Sequence, residues 1–307
     1  MTDIVIKTHD ITKKYVHSCA VKNVSITVKN GDVYGLVGKN GAGKTTLLKI
    51  ISGLMVPSSG TLELFGQTSG KGLSKARERT GCIIEMPSFF PYLSAEKNLE
   101  YYRIQRGIAG KKCIHEALEL VGLSDTGSKK YRDFSLGMKQ RLGLALSLMG
   151  SSDLLILDEP INGLDPVGIA QFRELIKKLN KERNITIIIS SHILGELSQI
   201  ATTYGFIDNG VLLETNTAVK IEEKCRQYIS LTVDDTGKAS VILENKMGCS
   251  KYEVLNNNLI KVYQFIDRSD ILAQTLVSNG VRVFSLNQEG TSLESYFIKM
   301  IGVSRDD

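Results

Sequence analysis

No apolar run in the 307 residues approaches the roughly 20 that a membrane-spanning helix requires. The start, MTDIVIKTHDITKKY, lacks the basic and then apolar layout of a secretory leader, so the expectation is a cytoplasmic chain. Cysteine is sparse: Cys19, Cys82, Cys113, Cys225 and Cys249 are odd in number, widely scattered and free of any C-x-x-C pair. That excludes a disulfide framework and a zinc site and leaves buried or incidental thiols. Charge of one sign is scarce as well, at +5 net, but it is unevenly placed. Residues 221–307 carry 10 basic and 12 acidic groups, whereas residues 71–141 hold 14 basic and 8 acidic. Such an excess is ordinarily a solvated face; a surface turned to an anionic membrane leaflet is the sharper reading, and charge alone leaves nucleic acid open. Hydrophobic residues at 42% and charged residues at 23% describe a globular chain, and the length suggests a large domain with a smaller companion.

VYGLV at 33–37 is a short apolar strand that runs into GKNGAGKTT and then into helical spacing at Leu47, Leu48, Ile50, Ile51 and Leu54. Residues 4–7 and 21–29 read as strands from their alternation, and TLELF at 61–65 as another after the turn signal Pro57 to Gly60. Together they suggest an antiparallel flap beside a parallel core. From about 93 to 150 the texture is helical, and LLIL at 154–157 and ITIII at 185–189, separated by a helix over Ile169 to Leu179, restore the parallel sheet. Beyond about 215 the order is strand 227–233, helix 238–246, strands 252–255 and 259–264, helix 269–279 and strand 281–286, the βαββαβ order of a ferredoxin-like plait. A last helix is predicted to start with a capping box at Thr291 and Glu294. The expected architecture is α/β: a P-loop NTPase core over residues 1–215 with a helical insertion at about 86–150, then a small α+β accessory domain over 216–307.

Gly38-Lys39-Asn40-Gly41-Ala42-Gly43-Lys44-Thr45 fits G-x-x-x-x-G-K-[ST] between a predicted strand and a predicted helix. In that setting backbone N–H groups close around phosphates at a helix N-terminus, Lys44 brings a mobile positive charge, and the Thr45 hydroxyl suits magnesium. LLILDEP puts Asp158 at the end of a neighbouring strand, where a carboxylate can hold that metal. Glu159, beside it, is positioned to act as general base on the attacking water.

Phe134-Ser135-Leu136-Gly137-Met138-Lys139-Gln140-Arg141, shortly before LLILDEP, resembles the LSGGQ signature of ABC transporter ATP-binding subunits. Leu136 and Met138 replace a glycine and a glutamine of the common form. The resemblance covers about residues 2–215, with general similarity beyond. It implies ATP and Mg2+ as cofactors and nucleotide contacts at Tyr15, the segment Gly38 to Thr46 including Lys44, Thr45 and Thr46, and Ser135, Gly137 and Asp165. It further implies a switch role for His192, after ITIIISS, and catalytic roles for Glu159, His192 and Lys44. Glu85, in GCIIEMPSFFPYLSAEKNL, stands where most of the family has a glutamine that contacts magnesium. With Thr45 and Asp158 it completes the implied metal set, and it is similar to the bacterial subgroup that expels antimicrobial peptides. The same resemblance implies head-to-tail pairing with a second ABC subunit or copy, separate integral membrane subunits docking on the helical insertion, including Ser88 to Tyr92, and a place on the inner face of the membrane. The alternatives are export of a drug or lipid, a soluble ATPase acting on nucleic acid or ribosomes, and an ATP-binding sensor. The single cassette, with neither a long coiled-coil insertion nor a C-x-x-C zinc pair, leads us to expect no nucleic acid partner.

Overall fold

In the computed structural model, which describes residues 3–85, 88–150 and 152–303, the first strand is longer than its alternation suggests, β1 (Ile4–Tyr15). The stretch read as one strand over 21–29 divides into β2 (Ser18–Val24) and β3 (Thr27–Lys29). The cause is tertiary. The buried hydroxyl of Thr8 donates to Val24 O at 3.0 Å and accepts from Ile26 N at 2.8 Å, taking over the pairing between the two halves. After β4 (Val33–Val37) and helix α1 (Lys44–Ser52), β5 (Ser59–Leu64) pairs with β1, so that β1, β2, β3 and β5 make the expected antiparallel flap.

The second sheet has six strands in the order β10-β9-β4-β8-β7-β6. Its members are β4, β6 (Thr80–Ile83), β7 (Leu154–Asp158), β8 (Thr186–Ser191), β9 (Thr203–Asp208) and β10 (Val211–Thr217). Every pair is parallel except β9 with β10. Strands β4 and β8 are buried at every position, as strands with helices over both faces must be. The strand β6, the helix α2 (Gly70–Glu78) that precedes it, and the pair β9–β10 go beyond the sequence reading. β6 has only four residues and contains Gly81, where a Cβ would stand 2.2 Å from Ser147 O. The strand is marked by that close approach rather than by alternation.

The helical stretch holds α3 (Ala95–Gln105), α4 (Lys112–Leu120) and α5 (Leu136–Leu148), followed after β7 by α6 (Pro166–Arg183) and the short α7 (Leu194–Leu197). Three starts follow standard capping: Ser94 Oγ accepts from Lys97 N, Ser135 Oγ accepts from Met138 N, and Asp165 Oδ1 accepts from Gly168 N ahead of Pro166.

By its contacts the chain divides into two compact units, Met1–Ala218 and Val219–Asp307, with helix α8 (Ala218–Cys225) across the boundary. The second unit runs β11 (Tyr228–Val233), α9 (Thr236–Met247), β12 (Tyr252–Leu255), β13 (Leu259–Val262), α10 (Ser269–Ser278), β14 (Val283–Glu289) and α11 (Leu293–Val303). That is the βαββαβ order read from the sequence, with an antiparallel sheet ordered β12-β13-β11-β14. Its core is built on Ile229, Leu231, Val233, Ile260 and Val262 facing Leu243, Leu272 and Leu276. The expected cap at Thr291 is corrected: Ser292 Oγ accepts from Ser295 N at 3.1 Å and Ser292 O accepts from Tyr296 N. The neighbouring hydroxyl one residue later has the better placement for the first turn.

Candidate active site

The parallel strands bring their carboxyl ends to one edge, the place where open α/β sheets bind ligands. The registers set the neighbours there: Val37 pairs with Ser191, Asp158 with Ser190 and Ile83 with Leu157. From β4 the chain turns through the glycine-rich segment into α1, with Gly41 at φ +82° and Gly43 at φ +106°. At Gly43 a Cβ would lie 2.4 Å from Ala20 O, so only glycine fits between the flap and the helix start.

Lys44, the first residue of α1, is 5% exposed. Its ammonium donates to Gly38 O at 2.7 Å and Lys39 O at 3.0 Å and makes an ion pair at 3.1 Å with Glu159 Oε1. Thr45 Oγ1 donates to Asp158 Oδ2 at 2.7 Å. The other carboxylate oxygen of Asp158 accepts from Ser190 Oγ at 2.6 Å, and that hydroxyl in turn accepts from Glu159 N at 2.9 Å. Glu159, 20% exposed, sits in left-handed backbone at φ +45°, a conformation that costs a non-glycine residue energy and is held by its partners. Its second oxygen, Oε2, is 2.8 Å from His192 Nδ1, just past the end of β8. Lys44, Thr45, Asp158, Glu159 and His192 therefore form one connected polar chain across three strand ends.

Glu85 follows β6 as Glu159 follows β7, again with left-handed backbone, φ +66°. Its carboxylate is directed to Lys49 Nζ at 2.6 Å rather than to Thr45 or Asp158. The hydrogen bond from Lys49 holds the Glu85 carboxyl below its ordinary value, and the same bond raises Lys49. A cavity of about 300 Å³ opens beside these groups, lined by Ile83, Glu85, Leu136, Gln140, Asp158, Glu159 and Asn162. Gln140 is 6% exposed there, and its Oε1 has no hydrogen-bond partner among the described residues.

Tyr15 lies at the end of β1, 47% exposed, its hydroxyl donating to Met55 Sδ at 3.3 Å and the Lys13 ammonium 5.7 Å from its ring centre. Ser135, Gly137 and Asp165 gather elsewhere, around a cavity of about 420 Å³ that Leu136, Met138, Gly163 and Leu164 also line and that Lys44 and Asp158 do not. Ser135 and Asp165 serve there as the caps of α5 and α6.

Among the described residues no three His, Cys, Asp or Glu side chains cluster as a metal cage. The hydroxyl of Thr45 against the carboxylate of Asp158 is instead a sparse, hard-oxygen donor set, the kind that suits a magnesium ion sharing its coordination with phosphates and water.

A family model described as ABC transporter matches residues 21–162. The bacitracin transport ATP-binding protein BcrA of Bacillus licheniformis is 44% identical over 298 residues, 97% of each chain. The chain belongs to the ABC transporter family of ATP-binding subunits. The cassette is an ATPase that binds and hydrolyses ATP. The lantibiotic transport ATP-binding protein SrtF of Streptococcus pyogenes is 40% identical over 209 residues, 68% of this chain and 89% of that one. Among solved structures, cbiO1 of Clostridium perfringens, part of the ABC transporter complex cbiONQ, is 25% identical with a TM-score of 0.65, covering 80% of this chain and 97% of that one. A cassette solved as a dimer after hydrolysis with ADP and Pi shares the fold, with a TM-score of 0.62 at 24% identity over 69% of this chain and 98% of its own.

Three residues of this cassette's site lie beyond the sequence reading. Lys49 could have been sought as the basic residue one helical turn after Thr45, and Ser190 as a hydroxyl at the end of an apolar strand. Asn98, fully buried, accepts from Phe90 N and donates to the carbonyls of Phe90, Leu93 and Ser94, which fixes the aromatic segment after Glu85. An asparagine inside a helical stretch gave no such signal. No helix among the described residues is long and apolar enough to cross a membrane.

Proposed function

We propose that this cassette is the motor subunit of a bacterial exporter that expels an antimicrobial peptide, working on the inner face of the membrane with separate integral membrane subunits and a second ABC subunit. The observation that carries the reading is the connected chain Lys44–Glu159–His192 beside Thr45–Asp158 in a protein that aligns over 97% of its length with a bacitracin transport subunit. The boundaries proposed are a nucleotide-binding domain over 1–215 and an accessory domain over 216–307.

Lys44 and the backbone N–H groups of residues 38–46 hold the phosphates, with Tyr15 presenting its ring to the adenine. Thr45 and Asp158 would hold magnesium, and Glu85, whose carboxylate is tied to Lys49, would add an oxygen donor only on leaving that partner; when bound, the metal offsets phosphate charge. Glu159 accepts the proton of the attacking water. Its buried surroundings and its ion pair with Lys44 fix the carboxylate, and His192 orients it from the other side. Ser135, Gly137 and Asp165 serve the nucleotide of the paired subunit, and their grouping around a cavity away from Lys44 supports that division of labour.

Residues Ser88 to Tyr92 are the docking surface for the membrane subunits. Phe90, Tyr92, Tyr101 and Ile104 are exposed in or beside this segment, Phe90 packs edge-on against Tyr101, and the Arg132 guanidinium lies 5.2 Å from the Tyr92 ring. Loop aromatics held by the buried amide of Asn98 are a rigid surface for a partner rather than a collapsing one.

The test is to tag the C-terminus, isolate the protein from native membranes in mild detergent and identify what accompanies it. Co-purification of multi-span membrane proteins, with peptide tolerance lost when the complex is removed, is the expected result. Recovery with soluble proteins or nucleic acid alone overturns the exporter reading.

A further inference from the structure

Glu85 adds a third carboxylate to an edge that already contains Asp158 and Glu159, and each of the three is compensated differently. Asp158 accepts from two hydroxyls, Thr45 and Ser190. Glu159 is ion-paired with Lys44 at 3.1 Å, and Glu85 with Lys49 at 2.6 Å. Both lysines come from α1, and Lys49 stands one helical turn beyond Thr45, on the same face of the helix. A polyphosphate drawn to the N-terminus of α1 brings several more negative charges to this edge, and an uncompensated carboxylate there opposes it by Coulomb repulsion.

We propose that Lys49 is the positioning residue for Glu85: it neutralises the carboxylate and ties it to α1, so that a glutamate can stand at this edge without weakening the hold on the phosphates. Lys49 acts through Glu85 and has no contact with the reacting atoms. This inference rests on the reading of Glu85 as a residue of the nucleotide site. The pair also links the backbone after β6, which leads into the aromatic segment 88–92, to the helix that carries Lys44 and Thr45. Lys49 is about a quarter exposed and Glu85 mostly so, which keeps the ion pair open to solvent and limits the size of its effect.

The test uses the full-length chain as wild type, Lys49→Gln, Glu85→Gln, the double variant and Lys49→Arg, with kcat and KM for Mg-ATP measured at low and high salt. Lys49→Gln is expected to raise KM about threefold with kcat nearly unchanged, as loss of a solvent-exposed charge pair should. The rise should shrink at high salt, and Lys49→Arg should stay near wild type. In the double variant KM should return close to that of Glu85→Gln alone. An equal rise in Lys49→Gln and in the double variant would overturn the proposal, because Lys49 would then act on the nucleotide or the fold independently of Glu85. No rise in Lys49→Gln would overturn it too. Thermal melting of each variant separates a folding defect, which Glu85→Gln would not repair. The parent reading is tested apart from this, by the magnesium dependence of ATPase in Glu85→Ala; a half-maximal magnesium concentration equal to wild type removes Glu85 from the nucleotide site, while the KM cycle still decides whether the lysine acts through the glutamate.

Discussion

Two glutamates of this cassette occupy matching places and live in different surroundings. Each stands two residues beyond a paired position of adjacent parallel strands, Ile83 in β6 and Leu157 in β7, each has left-handed backbone, and each is ion-paired with a lysine of α1. Glu159 is 20% exposed, hemmed in by Lys44, His192 and the Ser190 hydroxyl. Glu85 is 71% exposed and, among the described residues, its carboxylate is paired with Lys49. A carboxylate held by an ion pair on one oxygen and a histidine on the other, in mostly buried surroundings, keeps one geometry and suits proton transfer. A carboxylate with one solvent-screened partner can change partners at little cost and suits communication with the segment proposed for docking, residues 88–92. Burial, rather than residue type or backbone, separates the two roles.

The comparison breaks first at Glu159. Replacing it by Gln should lower steady-state hydrolysis by about 10² to 10⁴-fold, the usual contribution of a positioned base, while nucleotide binding persists. Phosphate release measured beside equilibrium ATP binding decides the point, and turnover near wild type would remove the division of roles. The buried side of the boundary can be sharpened at Cys82, three residues before Glu85. Burial pushes its thiol up to about 11, opposed by Arg106. At pH 8 its thiolate fraction is then on the order of 10⁻³, and alkylation of the folded protein should run about 10²-fold slower than for an unperturbed thiol. Peptide mapping of the labelled cysteines checks this, and fast labelling of Cys82 would move the boundary of burial back along β6.

Smaller effects probe the supports. Ser190→Ala removes the hydroxyl that bridges Asp158 Oδ1 and Glu159 N, and groups that orient a metal-holding carboxylate are worth about tenfold or more in metal affinity. The magnesium concentration for half-maximal ATPase should rise by about that factor with the fold intact by circular dichroism. Glu85→Gln should change basal hydrolysis by no more than about threefold, the range open to an exposed ion pair. A loss comparable to that of Glu159→Gln would erase the contrast between the two residues.

The parts of this arrangement readable in the sequence are those whose chemistry is contiguous. The segment from Gly38 to Thr45 and the pair Asp158-Glu159 are local strings at strand ends, and the folded chain joins them through Thr45 and Lys44. The same holds for the strand VYGLV, whose five buried residues are one apolar run. What escaped the reading depends on returns of the chain. Lys49 meets Glu85 only after 36 residues and an intervening β5, α2 and β6, and the division of residues 21–29 is imposed by Thr8 from another strand. The choice of Ser292 over Thr291 as a cap is a contest between adjacent hydroxyls that residue preference does not decide. β6 is too short to show a period, although it leads directly to the glutamate on which the comparison turns.

The most direct measurement is peptide-stimulated ATPase of Glu85→Gln in membranes containing the protein and the membrane subunits proposed for it, with a panel of antimicrobial peptides as candidate stimulants. Basal hydrolysis close to wild type with the stimulation lost is the result expected of an exposed coupling glutamate beside a buried catalytic one. Stimulation equal to wild type would contradict it.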